Sequence, residues 1–470
     1  MLESWLEDEL ASVPDIEVFA TVDEMAAELT RLGAEHGDVA RVRRVGTSSL
    51  GDPILGLTID DVPDSDVPDP ATAEAVVIGL PHPNEPIGGL TSLHLARRLC
   101  EDPALRARLG HRWHIVACID PDGLRLNEGW LKGPFTRELY ARQFYRPAGD
   151  EQVEWTFPFS YKEAYFDKIL PETLAVLRLI DEHRPALLCS LHNSETGGAY
   201  YYLTRPEPAL HPILQEIPER LGLSLDRGEP EAPWLERFAD GIFEMLDIER
   251  LYDFQEAHGE LRADKLGGNT SAAYARRHGT LTLVSELPYW TDDTAGDTTP
   301  TTTSYADALR TQAEGFAEIG TLMLGVLEGL KDDRLSDSPY LRASRYFAPG
   351  MPEAARETAK RAEEESSARA ATVAEVASMT NILHSFRLRF PGMLLRALDG
   401  ELAIGNATPA IRAQQAILAR RFEEFIAAAD AASPAVPIPI RSLVATQYGA
   451  LVATADHLSR QRRRTPSDGS

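Results

Sequence analysis

Four short, mostly apolar runs constrain this 470-residue chain more than any other feature: AVVIGL (75–80), HIVACID (114–120), ALLCSLH (186–192) and TLTLVSELP (280–288). A strand with one face in water alternates polar and apolar residues. These runs do not, so each predicts a strand covered on both faces. Helical patterns separate them. In ETLAVLRLIDEHRP (172–185), Leu174, Leu177 and Ile180 fall on one helical face, and YADALRTQAEGFAEIGTLMLGVLEGLK (305–331) is a long amphipathic stretch. Strands alternating with helices predict an α/β fold, a three-layer α/β/α arrangement around a mixed, twisted sheet. ARVRRVGTSSLGDPILGLTID (40–60) adds a hairpin that turns at Gly51-Asp52-Pro53. Residues 1–35 read as acidic helix, and 61–74 as a polar, proline-rich loop.

The texture changes near residue 335, where strand patterns stop and alanine, glutamate and arginine dominate. Helices are expected over 352–386, 409–432 and 441–461, separated by Pro391 with Gly392, by Gly405 and by SPAVPIPI (433–440). The chain thus divides into an α/β domain, 1–334, and a mostly helical C-terminal domain or appendage, 335–470, whose end RQRRRTPSDGS reads as a frayed basic tail. A net charge of −26 sets nucleic acid and anionic membrane aside as partners. No apolar run approaches the roughly 18 residues of a membrane span. The first residues carry neither the basic nor the apolar region of a secretory signal. The three cysteines, Cys100, Cys118 and Cys189, are far apart and odd in number, as expected of reduced thiols in the cytoplasm.

In covered parallel sheets, ligands bind beyond the carboxyl ends of the strands. Three of the four runs end in groups capable of chemistry. The first leads into PHPNEPIGG (81–89), where Pro81, Pro83 and Pro86 keep His82 and Glu85 on a stiff loop outside any helix interior. The third ends at His192, and the fourth carries Glu286. Two imidazoles and a carboxylate suit one Zn²⁺ ion and leave a fourth position open, the mark of a catalytic site. Zinc lowers the pKa of bound water to about 7, and a further carboxylate is then needed to move the proton. Glu286 closes an otherwise apolar strand, where a charge needs a reason. Other readings of the same residues are a helix-capping role for Glu85, a buried ion pair for Glu286, and Glu195 of HNSE (192–195) as the carboxylate ligand.

HPNEP, SLHNSETGGAYYY and LTLVSEL resemble, in order and spacing, the zinc carboxypeptidases related to carboxypeptidase A. RVGTSSLGDPILGL, IDPDG and LPETLAVLRLI are similar to further pieces of that family, and the resemblance covers roughly residues 20–330. It implies His82, Glu85 and His192 as zinc ligands and Glu286 as general base and then proton donor. Arg142, in LYARQFYRP, falls where the family grips a substrate carboxylate, with Ala141 in place of the family's asparagine and Arg146 close behind. Lys132 and Arg125 are the cations nearest the position of an oxyanion-stabilising arginine, and no tyrosine occurs in LRADKL ahead of Gly267-Gly268. The implied function is zinc-dependent hydrolysis of an amide bond adjacent to a carboxylate, in a peptide or amino-acid-derived substrate. An N-acyl-amino-acid amidohydrolase of the succinylglutamate desuccinylase or aspartoacylase type shares the ligand set, although those chains are shorter and end in a β-rich appendage. A zinc-retaining scaffold that binds peptides without cutting them is the non-enzymatic reading. A third reading makes the helical region the functional part, docking a partner protein.

Overall fold

The apolar runs pair side by side as their composition requires. In the computed structural model, which describes residues 2–60, 72–232, 234–259, 261, 266–433 and 435–464, they form the centre of a nine-stranded mixed sheet. Its order is Ala40–Thr47, Pro53–Ile59, His111–Val116, Ala73–Gly79, Leu187–Leu191, Leu281–Glu286, Tyr200–Leu203, Ile242–Glu244 and Arg237–Ala239. Ala73–Gly79, Leu187–Leu191 and Leu281–Glu286 are adjacent and parallel. The hairpin Ala40–Thr47/Pro53–Ile59 is antiparallel, as its Gly-Asp-Pro turn predicts. Most of the proline-rich loop, residues 61–71, lies outside the described residues.

Both faces of the central strands are dry, which explains why their sequences do not alternate. Val76, Ile78 and Leu188 point to one face and meet Val176 and Ile180 of the Pro171–His183 helix. Val77, Cys189, Leu191 and Leu283 point to the other and share a core with Leu95 and Leu99 of the Ile87–Glu101 helix. The Ile440–Arg464 helix shares that core through Val444, Tyr448 and Leu451, and 17 of its 25 residues are buried. The three-layer arrangement holds, and the last described helix is part of one of its layers.

Three expectations for the C-terminal region are corrected. Residues 352–386 are not one helix. Gly350–Arg361 ends, the short strand Ala370–Thr372 pairs with Pro300–Ser304, and a new helix starts at Val373 behind a Thr372–Glu375 capping box. That helix, Val373–Ala403, runs through Pro391 and Gly392 instead of stopping there. The proline removes one backbone hydrogen bond, but Leu388, Phe390, Met393, Leu394 and Leu398 are all buried around it. Arginines expected in a frayed tail are fastened down: Arg460 pairs with Glu3, and Arg462 and Arg463 donate to the carbonyls of Gly110 and Ala107. Residues 465–470 lie outside the described part. Among the described residues no helix is long and apolar enough to cross a membrane.

Candidate metal centre

His82, Glu85 and His192 converge because their strands are neighbours. After Gly79 the chain kinks at Leu80, which adopts a left-handed φ of 55°, and the proline loop then delivers His82 and Glu85 beside the end of Leu187–Leu191. The Ile87–Glu101 helix starts immediately afterwards and lies tight against that strand. A Cβ on Gly88 would sit 2.8 Å from both Leu191 Cβ and the Leu191 carbonyl oxygen, so only glycine allows this approach. Asn193 joins the two segments: its Oδ1 accepts from the Ile87 amide at 3.2 Å, and its own amide donates to Glu85 Oε2 at 3.3 Å.

The three side chains are buried, their ligand atoms lie within 4.8 Å of one another, and the two imidazole centroids are 4.8 Å apart, edge to face. Tetrahedral zinc with bonds of 2.0–2.1 Å holds its ligand atoms about 3.3 Å apart. His192 Nδ1 and Glu85 Oε2 are already 3.1 Å apart. The Ser190 hydroxyl donates to Glu154 Oε1 at 2.6 Å, so its oxygen accepts from His192 Nε2, 3.0 Å away. That pattern assigns the proton to Nε2 and leaves Nδ1 to face Glu85. On His82, Nδ1 is buried and makes no hydrogen bond. Burial, reinforced by the charges of Arg146, His192 and Arg389, holds its imidazolium well below the usual range, so its lone pair is free. The donor set therefore fits a divalent metal: one orphaned imidazole nitrogen, one oriented by its neighbours, and a carboxylate between them.

The electrostatics also call for a cation here. Burial works against a charged His192, but the nearby carboxylates of Glu154, Glu85 and Glu286 push its pKa up to about 10. Glu286 ends its strand with Oε1 3.9 Å from His192 Nδ1. Burial pushes its carboxyl well above the ordinary range; Glu85 and Glu231 add to this and His192 opposes it. Burial opposes the charge on Glu154 too, yet the neighbouring His192 and hydrogen bonds from Ser190 and Ser271 hold its carboxyl below the usual value.

A second cluster, Glu74, His114 and His183, also brings ligand atoms within 4.8 Å. Its two imidazoles are already engaged. His114 Nε2 is 2.7 Å from Glu74 Oε2, Arg43 donates toward His183 Nε2 at 3.4 Å, and the two rings stack at 3.6 Å with a 15° tilt. Stacked rings aim their lone pairs side by side rather than at one point, and a guanidinium occupies one of them. The cluster reads as a buried polar knot.

The structure does not bring Arg142 to the centre. It lies on the exposed side of the Arg137–Gln143 helix and binds Glu138 and Glu423 at 2.9 and 2.7 Å. Lys132 and Arg125 are also spent at the surface, on Glu24 and on Asp52 and Asp23. Arg146 is the arginine of that segment that reaches the site, with NH1 2.8 Å from Glu85 Oε1 and Nε donating to Gln152. Glu195 is turned away from the metal ligands and accepts from Tyr140 at 2.6 Å and from Ser385 and Arg389. The segment 262–265, where the sequence lacks a tyrosine, lies outside the described residues.

A cavity of about 580 Å³ opens in front of the centre. Arg146, Tyr200 and Glu231 line it from the sheet side, and Phe386 and Arg389 from the Val373–Ala403 helix. The C-terminal helices also support the centre from behind, where Gln447 Nε2 donates to the His192 carbonyl at 2.9 Å. Sequence reasoning missed Glu154, Gln447 and Arg389. A signal existed only for the last, a charge set between Leu388 and Phe390 in an apolar run.

The zinc carboxypeptidase family model matches residues 25–227. Among solved structures, the chain is similar to a carboxypeptidase A from Helicoverpa armigera, at 14% identity over 76% of this chain and 78% of that one, with a TM-score of 0.39. It is also similar to a metallo-carboxypeptidase from Burkholderia cenocepacia, at 18% identity over 57% of this chain and 60% of that one, with a TM-score of 0.36. No curated protein matches the chain.

Proposed function

We propose, from the match of the zinc carboxypeptidase family model to residues 25–227, that the protein is a zinc-dependent hydrolase of an amide bond adjacent to a carboxylate. One observation carries this reading: His82, Glu85 and His192 meet at the ends of adjacent parallel strands, with Glu286 at the end of the next one. In the proposal His82 Nδ1, Glu85 and His192 Nδ1 hold the zinc. When bound, that ion supplies a polarising charge for the substrate carbonyl and lowers the pKa of water to about 7. Glu286 takes the proton of the attacking water and delivers it to the departing nitrogen, a positioned transfer typically worth about 10²–10⁴ in rate. Arg146, fixed by Gln152 and Glu85, presents its guanidinium to the negative charge that develops on the carbonyl oxygen.

The test is turnover. Zinc-loaded protein is incubated with a library of free-acid peptides and with N-acyl amino acids, and the products are read by mass spectrometry. Peptide cleavage that ends on chelation and falls at least 100-fold in Glu286→Gln is the expected result. Release of acyl groups alone would move the protein to the amidohydrolase reading. Equal turnover by wild type and Glu286→Gln would remove that residue from the mechanism.

A further inference from the structure

Cleavage beside a carboxylate requires a cation that faces the substrate and is not consumed elsewhere. Two guanidiniums line the cavity, those of Arg146 and Arg389. Arg146 is largely spent, with Nε on Gln152 and NH1 on Asn84 and Glu85. Arg389 is spent only at Nε, which donates to Glu195; its two terminal nitrogens make no hydrogen bond within the described residues. The side chain is one-fifth exposed, and it is exposed into the cavity.

Arg389 is also rigidly mounted. Its guanidinium lies over the Phe144 ring at 5.4 Å. Its partner Glu195 is fixed by the Tyr140 hydroxyl, the Ser385 hydroxyl and, through its backbone carbonyl, the Tyr289 amide at 2.9 Å. Glu195 therefore orients the guanidinium edge-on and leaves the paired terminal N–H groups for a planar, two-oxygen ligand.

We propose that Arg389, carried by the C-terminal helix Val373–Ala403, binds the carboxylate of the substrate, a small peptide or amino-acid derivative ending in a free acid. This rests on the hydrolytic reading above for the identity of the substrate, not for the binding itself. It also makes residues 373–403 part of the active site.

The probes are N-acetyl dipeptides and their C-terminal amides, offered to full-length zinc-loaded protein. Titration calorimetry reads binding in the Glu286→Gln background, and mass spectrometry reads turnover in the wild type. The variants are Arg389→Lys and the double substitution Arg389→Gln/Glu195→Gln. The double substitution removes both buried charges together, so no unpaired charge is left to unfold the helix. In the wild type the acid should be favoured over the amide by about 100-fold, the worth of a bidentate pair. In the double variant the preference should fall below about threefold, with the loss in KM rather than kcat and an unchanged melting temperature, while Arg389→Lys should keep part of it. A preference above about 30-fold in the double variant would overturn the assignment and leave Arg389 as the partner of Glu195 alone. Absence of any acid preference in the wild type would overturn it equally. Acid-selective binding without turnover would overturn the hydrolytic reading while upholding Arg389, and turnover of acid and amide alike would do the reverse.

Discussion

Replacing Glu154 by glutamine should weaken zinc binding by about 10–100-fold although Glu154 does not face the metal position. Its carboxylate lies behind His192, 3.8 Å from Nε2, and accepts three hydrogen bonds: from Ser190 Oγ and Ser271 Oγ at Oε1, and from the Ser271 amide at Oε2. A glutamine has two ways to fit. With its NH₂ in the place of Oε2, it opposes the Ser271 amide, donor against donor. With NH₂ in the place of Oε1, it donates to Ser190, whose hydroxyl hydrogen then turns to His192 Nε2. That favours the tautomer with its proton on Nδ1, the atom the metal needs bare. The first outcome loses a hydrogen bond to a charged group, worth about 1.5–3 kcal/mol. The second sets an imidazole tautomer against the metal. Either way the loss corresponds to roughly one to two decades in affinity. The assay is competition for zinc against a chromophoric chelator, with melting of the zinc-free proteins as the control for folding. A change smaller than about threefold in a well-folded variant would refute the claim that Glu154 and Ser190 set the tautomer of His192.

Other consequences are equally open to measurement. Gly88→Ala should destabilise the protein by about 1–3 kcal/mol and weaken metal binding with it, because overpacking against Leu191 outweighs the roughly 1 kcal/mol that alanine gains in a helix; a more stable variant in chemical denaturation would contradict the close approach. Burial pushes the Asp120 carboxyl up to about 7, against its hydrogen bond from the Gly123 amide, whereas an unfolded aspartate titrates near 3.9. The folded pKa is the higher one, so this stabilisation is complete below about pH 4 and is lost as pH rises through about 7. Asp120→Asn, which can still cap the Gly123 amide, should flatten the melting temperature across that window; the same slope in both proteins would dismiss the assignment. A chain ending at residue 334 should fail to melt cooperatively and should bind hydrophobic dyes, since it lacks a helix in which 17 of 25 residues are buried; a sharp transition in circular dichroism would show the α/β part to be self-sufficient.

Much of the sheet was legible in the chain because its strands are buried on both faces and therefore write uninterrupted apolar runs. The placement of His82, Glu85, His192 and Glu286 was legible for a related reason: neighbouring strands of a covered sheet bring the groups that follow or end such runs to one edge. What stayed hidden depends on contacts across long sequence separations. Arg142 and Arg146 are four residues apart, and no local pattern says which faces the cavity; Glu138 and Glu423 draw the first outward and Glu85 holds the second in. Pro391 and Gly392 read as a helix boundary because local propensity says so. The glycine is required for another reason: a Cβ there would lie 2.8 Å from the Ala141 carbonyl oxygen. The helix crosses the α/β part at that point, and burial on its other side outweighs the lost backbone bond.

That crossing bears on how the site is built. Ala141 and Phe144 lie three residues apart on the segment that leads to Arg146. Gly392 lies against Ala141, and Arg389 lies over Phe144. One helical turn of the C-terminal region is therefore registered against the segment that positions the arginine beside Glu85. Gln447, from a different C-terminal helix, holds the carbonyl of His192. The His82, Glu85 and His192 cluster comes from the ends of the sheet strands, but one wall of the cavity and the orientation of two of its groups come from residues beyond 370. A sheet edge by itself offers an open, wet groove. Roofed by Phe386 and flanked by Arg389, the same side chains face a cavity partly walled off from bulk water, where charges interact more strongly. The helical region is thus the part that turns an open sheet end into a walled cavity in front of His82, Glu85 and His192.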